Sequence, residues 1–139
     1  NRNSSDYDKR QQNLLNFYDA LMDGKNDLIY NYFKNEYDKS PFDLMSNNTQ
    51  MVLALEFINA PDVVMPMYEV IPEDDLDYAN CGNCRTRLYI KLLLDLELGN
   101  PEKGIATALK LRKNGGGNFG RPLLIRSYVQ AQQWEELEV

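Results

Sequence analysis

The fold is indicated most clearly by residues 86–137, TRLYIKLLLDLELGNPEKGIATALKLRKNGGGNFGRPLLIRSYVQAQQWEEL. The apolar residues of this stretch recur at helical spacing in three runs, which a Gly-Asn-Pro turn and a glycine-rich loop separate. We therefore predict a helix, a tight turn, a second helix, a loop and the start of a third helix. Because such a hairpin cannot bury its apolar face alone, we expect it to belong to a short α-solenoid or a compact helical bundle.

The tight turn combines three separate residue preferences. Gly99 suits the left-handed C-terminal cap of one helix, Asn100 the N-cap of the next and Pro101 its first position. The preceding helix, over 86–98, is apolar around most of its circumference, which predicts a central, buried position. Pro122 is expected to open the last helix. The stripe that we expect this helix to bury consists of Leu124, Ile125, Tyr128, Val129, Trp134 and Leu137.

The first third of the chain predicts another helical hairpin. Ser5 suits the N-cap of a first helix and Gly24 its end, and a second amphipathic run continues to Tyr37. The apolar stripe of the first helix is Leu14, Phe17, Tyr18, Leu21 and Met22. In the second helix Leu28, Ile29, Tyr32 and Phe33 are expected to point inward.

The middle of the chain gives weaker helical signals. We predict a short helical turn over 41–46, then a longer helix that Asn48 or Thr49 caps and Pro61 ends. Three prolines between 60 and 80 restrict the elements that follow to short ones. We expect a short helix over 61–69 and another from residue 72 to about residue 78.

The net charge of −6 is unevenly distributed. Residues 40–84 contain eight acidic side chains and no Lys or Arg, whereas residues 85–126 carry a net charge of +6. Such a chain can steer charged partners or stack head to tail on itself, and its overall acidity argues against general nucleic-acid binding. The candidate partner-binding residues are Asp62, Glu69, Glu73, Asp74, Asp75 and Asp77. The candidate basic patch is Arg85, Arg87, Lys91, Lys110, Arg112, Lys113 and Arg121. The alternative is that each charged run is a solvated helix face that its neighbour in the fold neutralises.

Residues 96–111, LELGNPEKGIATALKL, resemble the turn and second helix of a tetratricopeptide repeat, and residues 123–137 are similar to the first helix and turn of the next repeat. Gln132 follows Gly99 by 33 residues, close to the period of about 34 in that family. Gly104 supplies the small residue of the helix crossing, whereas Leu92 and Leu137 occupy positions that are normally small.

A fainter third copy begins at Asp23, so the likeness covers about half of the chain and skips residues 40–85. The resemblance to tetratricopeptide-like or pentatricopeptide-like arrays implies a groove that holds a peptide or another protein. It assigns no ligand-holding residue.

Cys81-Gly-Asn-Cys84 is the one constellation with chemical potential. Its place before a helix favours a lowered pKa at Cys81 and thiol–disulfide exchange, but the acidic flank and the lack of a βαβ pattern oppose a thioredoxin-like site. A structural zinc site needs four Cys or His ligands, and the chain has two cysteines and no histidine. Such a site would have to be shared between chains or completed by Asp75 and Asp77. We favour structural or incidental cysteines, including a local disulfide, over a redox pair, and a redox pair over a metal site.

Other enzymatic classes lack their essential groups. Without histidine there is no Ser–His or Cys–His nucleophile pair. The carboxylates of Asp74 and Asp75 are adjacent in sequence, so they diverge instead of converging on a substrate. The Gly115–Gly117 run lacks the spacing of a phosphate-binding loop. We therefore expect no catalytic residue, no cofactor and no metal.

We predict a single all-α domain over residues 1–139, with a polar lead-in at 1–6 and an irregular acidic segment at 60–85. Antiparallel hairpins stacked as a short α-solenoid are the expected architecture, with an irregular helical bundle as the alternative. The expected function is non-enzymatic binding of a protein or peptide partner. RNA binding through the basic patch and thiol-dependent activity at Cys81 and Cys84 are the alternatives.

No apolar run approaches the roughly 20 residues that cross a bilayer, which predicts a soluble protein. The start without Met is expected of a processed or excised chain, compatible with an exported or organellar protein as well as a cytosolic one. Neither the compartment nor the oligomeric state is assigned.

Overall fold

A computed structural model describes the backbone of residues 4–137 and the side chains of residues 11–137. Within this range the chain forms seven α-helices and no strand, which confirms the all-α class. The helices are α1 (Ser4–Met22), α2 (Asn26–Lys39), α3 (Leu44–Glu56), α4 (Pro61–Glu69), α5 (Gly82–Glu97), α6 (Pro101–Leu111) and α7 (Arg121–Gln130). Short 3-10 turns cover Glu73–Asp75 and Trp134–Leu137. The first three residues of the predicted lead-in lie outside the described range.

The helices pack in chain order. Each helix contacts the next one along the chain, and α5 also contacts α3 and α7. The side chains of Leu88, Ile90, Leu92, Leu94 and Leu96 on α5 are all buried. The prediction of a central helix is therefore confirmed, although α5 begins at Gly82, before the predicted start. Stacking of the hairpins as a solenoid stays a prediction.

Glycines with a left-handed backbone follow α1 and α5, as their sequence positions predicted, and a third lies in the turn after α6. Gly24 has φ +65°, Gly99 φ +72° and Gly115 φ +85°. In this region the backbone of L-residues with a Cβ atom is strained, whereas that of glycine is not. Pro101 begins α6, while the side chain of Asn100 makes no capping hydrogen bond. A wide turn over Arg112–Gly116 carries the chain out of α6.

The start of α3 differs from the prediction. A single helix begins at Leu44, and its cap is Asp43, whose Oδ2 accepts a hydrogen bond of 2.8 Å from the backbone N–H of Ser46. Because this bond favours the ionised carboxylate, it lowers the pKa of Asp43. The predicted cap at Asn48 or Thr49 is wrong: both residues lie inside α3, where Asn48 is buried.

The first and last helices bury less than predicted. On α1 the stripe faces outward: Ala20 is buried and Phe17 half-buried, whereas Leu14, Tyr18, Leu21 and Met22 are exposed. Ser5, the predicted cap, lies inside α1. On α7 the side chains of Ile125 and Val129 are exposed, and Trp134, 57% exposed, lies beyond the end of the helix. These helices stand at the two ends of the packing order, so each has fewer neighbours to cover it.

No helix within residues 4–137 combines the length and the apolar character that a membrane span requires.

Candidate partner-binding surface

The acidic residues singled out in the sequence lie on and around the connection between α4 and α5. Asp62 is in the first turn of α4 and Glu69 is its last residue, and both side chains are exposed. Glu73, Asp74, Asp75 and Asp77 follow in residues 73–77, which we call the acidic loop. Asp74, Asp75 and Asp77 are exposed, whereas Glu73 is half-buried.

A buried guanidinium fixes the backbone that leads into the acidic loop. Arg87 of α5 is fully buried, and its Nη1 donates to Oδ1 of Asn47 at 2.5 Å and of Asn48 at 3.3 Å. Its Nη2 donates to the backbone carbonyl of Tyr68, and a second carbonyl, that of Ile71, lies 3.5 Å away. The guanidinium carbon also stands 4.5 Å from the centre of the Tyr68 ring. Arg87 therefore joins α3, the end of α4 and Ile71, two residues before the acidic loop, through one side chain.

Glu73 is the one acidic-loop residue with an ion pair among the described side chains. One carboxylate oxygen pairs with Nζ of Lys110 on α6, and the other accepts a hydrogen bond of 2.8 Å from the hydroxyl of Tyr68. Burial favours the protonated carboxyl of Glu73, but these two partners favour the carboxylate and hold its pKa below the usual value. Burial also raises the pKa of the Tyr68 hydroxyl, which therefore stays a donor.

Hydrogen bonds fix the end of the acidic loop and the residues that follow it. Asp77 accepts hydrogen bonds from Nδ2 of Asn80 at 2.8 Å and from the N–H of Ala79 at 3.1 Å. Nη1 of Arg85 donates to the carbonyl of Tyr78 at 3.1 Å and to that of Ala79 at 3.0 Å. The loop is thus tied to α5 on this side as well.

Cys81 and Cys84 form a disulfide across the first turn of α5. Cys81 occupies the N-cap position, and its Sγ accepts a hydrogen bond of 3.1 Å from the N–H of Cys84. Cys84 is buried beside Tyr78, Leu88 and Leu111. The bond therefore fixes the first turn of α5, and neither cysteine is a free thiol in this structure.

No group of three His, Cys, Asp or Glu side chains that could hold a metal ion occurs among residues 11–137.

The candidate basic patch does not form one continuous surface. Arg87 is buried, so its prediction as a surface residue is wrong. Lys91 pairs with the fully buried Asp95, with Nζ 2.5 Å from Oδ1. Lys110 pairs with Glu73 of the acidic loop, and Arg85 donates to the backbone carbonyls just after the loop. The remaining residues of the candidate patch, Arg112, Lys113 and Arg121, are exposed around the wide turn between α6 and α7. None of them forms an ion pair with a described side chain.

The polar network below the loop was missed in the sequence, although a signal for it exists. Arg87 precedes Ile90 by three residues and Leu94 by seven, so it belongs to the buried face of α5. Asn47 is likewise buried inside α3, where its Nδ2 donates to the carbonyls of Pro41 at 3.1 Å and Met67 at 3.0 Å. A buried cation needs acceptors, and buried amides provide them.

Neutralising Glu73 should change how stability depends on pH. The lowered pKa of this carboxylate means that its stabilising contribution is complete above the usual value of 4.5 and is lost as pH falls through the folded-state pKa. Because the pair is partly exposed, we expect Glu73→Gln to cost less than about 1 kcal/mol at neutral pH and nothing in strong acid. Urea unfolding of both proteins at neutral pH and in strong acid measures the two differences.

Glu69→Gln is the control, since Glu69 is exposed and has no ion pair with a described residue. A difference between wild type and Glu73→Gln that persists unchanged in acid would contradict the assigned role of the ion pair.

The comparisons with known proteins identify no relative. No family model matches the chain, and neither the curated proteins nor the solved structures contain a match. The likeness to tetratricopeptide repeats therefore stays a prediction from the sequence.

Proposed function

We propose that this chain is a non-enzymatic helical module that binds a protein partner through the acidic loop. The observation that carries the proposal is the contrast between the two sides of this loop. Inside, Glu73 pairs with Lys110 and accepts a hydrogen bond from Tyr68, and Arg87 holds the backbone just before the loop. Outside, the carboxylates of Asp74 and Asp75 are exposed and form no ion pair with a described side chain.

A loop held in this way favours binding because little conformational entropy is lost when a partner orders it. The exposed carboxylates select for partners with basic side chains, and electrostatic complementarity raises the rate of encounter and excludes acidic competitors. The sequence adds the lack of histidine, which removes the usual general base. Together these features support binding of a basic protein segment without catalysis of a reaction on that segment.

The test is capture of partners from a native extract by wild type and by Asp74→Asn/Asp75→Asn. We expect the double variant to bind the captured protein about tenfold more weakly, because two rim charges contribute up to about 1 kcal/mol each. Asp77 is left unchanged because it accepts hydrogen bonds within the loop. High salt should weaken the wild-type complex in the same direction.

A matched control is Asp19→Asn/Glu56→Gln, which removes two exposed charges from other helices. It should bind as wild type does. Equal binding by both double variants and wild type, or no captured protein at all, would reject the proposal.

A further inference from the structure

The outward face of α1 is apolar. Leu15, Tyr18 and Met22 recur at spacings of three and four residues, so they form a stripe on one side of the helix. All three are exposed, Met22 to 85%, and the stripe lies opposite the buried Ala20. Leu14 and Leu21 widen it and are exposed too. An exposed apolar stripe of this length on a terminal helix indicates a surface that another helix covers.

The outward face of α7 offers a second apolar surface at the opposite end of the packing order. Ile125 and Val129 are one helical turn apart and exposed, and Trp134 lies exposed beyond them. Ile125 also lines a cleft of about 550 Å³. Its other apolar lining comes from Ala108, Leu124, Tyr128 and Leu137.

Charge distinguishes the two ends. Arg112, Arg121 and Glu136 line the cleft, and within residues 101–137 six basic side chains stand against three acidic side chains. Residues 11–39 of α1 and α2 carry five acidic and three basic side chains. Two α7 ends would repel each other, whereas an α7 end and an α1 end attract. The charges therefore favour contact between unlike ends.

The packing order gives a geometric reason for the same pairing. Interior helices contact the helices before and after them in the chain, but α1 packs mainly on α2, and α7 has no helix after it within the described residues. We infer that copies of this chain associate head to tail, with the outward face of α1 packed on the outward face of α7 of the next copy. This surface is separate from the acidic loop, so the inference does not rest on the function proposed above.

Head-to-tail contact joins two different surfaces, so it permits growth into chains of copies. We expect wild type to form larger species as its concentration rises, measured by sedimentation velocity, and to dissociate at high salt. Two blocked forms test the faces: Leu15→Glu/Met22→Glu for α1 and Ile125→Glu/Val129→Glu for α7. Each should be monomeric alone, because each has lost one of the two faces.

Mixing the two blocked forms gives the decisive result. The α1-blocked form keeps its α7 face and the α7-blocked form keeps its α1 face, so the mixture should form a one-to-one dimer that grows no further. Phe42→Glu/Met45→Glu is the control: it places two charges on exposed apolar residues near the start of α3, and it should associate as wild type does. Circular dichroism verifies that every variant is folded.

Three outcomes would overturn the inference. The first is a wild type that stays monomeric at every concentration. The second is an α7-blocked form that dimerises by itself, which would assign the α1 face to a symmetric contact between like ends. The third is a mixture of folded blocked forms that sediments as two separate monomers.

Discussion

Replacing Arg87 with alanine is expected to lower the free energy of unfolding by about 3–5 kcal/mol, the range for removing one member of a buried ionic or polar network. The guanidinium is fully buried and supplies hydrogen bonds to Asn47, Asn48 and the carbonyl of Tyr68. Alanine leaves these acceptors without donors and opens a cavity beside the Tyr68 ring. Since small domains are stable by only about 5–15 kcal/mol in total, a large share of the stability would be lost.

Arg87→Lys should restore little of this stability. Two nitrogens of the guanidinium serve acceptors from two directions, Asn47 on α3 and Tyr68 on α4, whereas an ammonium concentrates its donors at one point. Burial already lowers the pKa of Arg87, and a buried lysine loses its proton more readily. Urea unfolding at neutral pH measures both variants against wild type.

The control for Arg87 is Arg126→Ala. Arg126 forms a partly exposed pair with Glu97, with Nη2 2.8 Å from Oε1, and such a pair contributes at most about 1 kcal/mol. An Arg87→Ala protein no less stable than Arg126→Ala would contradict the role assigned to the buried guanidinium.

Elements bounded by local signals could be predicted from the sequence. The bounds of α4, Pro61–Glu69, match the predicted range, because a proline favours the first turn of a helix. The turn between α5 and α6 also follows local rules, with the positive φ of Gly99 next to Pro101. Such preferences act within a few residues, so they can be read without knowing the fold.

Features that depend on distant partners could not be predicted in the same way. The charge pattern predicts Arg87 as part of a basic surface patch, but its acceptor Asn47 lies 40 residues earlier in the chain. The same limit applies to α1, whose most apolar stripe faces outward. Spacing identifies a stripe, but which face of an end helix is covered depends on how many neighbours it has.

The acidic loop has one feature that could be predicted from local sequence and another that depends on distant partners. Its exposed Asp74 and Asp75 follow from composition, since residues 73–77 contain four carboxylates. The ion pair of Glu73 with Lys110 and the hydrogen bonds of Arg87 to the backbone before the loop come from two other helices, and they could not be predicted from the loop itself. The candidate site was therefore located in the sequence, while its preorganisation emerged only from the structure.

Replacing Gly104 with valine is expected to destabilise the protein by about 1–3 kcal/mol through overpacking. Gly104 is buried where α6 crosses α5 and α7, and a Cβ atom there would lie 3.0 Å from Oγ of Ser127 and 3.3 Å from a methyl group of Leu96. Ser127 is itself fully buried, and its Oγ donates to the carbonyl of Leu123 at 2.7 Å, so it cannot turn aside without losing that bond. Valine would add two further methyl groups at this crossing.

Gly104→Ala separates packing from backbone effects. Alanine favours the helix by about 1 kcal/mol relative to glycine, and the contact with Ser127 opposes this gain, so the net change should be small. Combining it with Ser127→Ala removes the opposing oxygen, and the two changes should therefore be non-additive, with Gly104→Ala more favourable in the Ser127→Ala background. Urea unfolding of the four proteins of this cycle gives the coupling. Strict additivity, together with a Gly104→Val protein as stable as Gly104→Ala, would show that the three helices do not cross as closely as their side chains indicate.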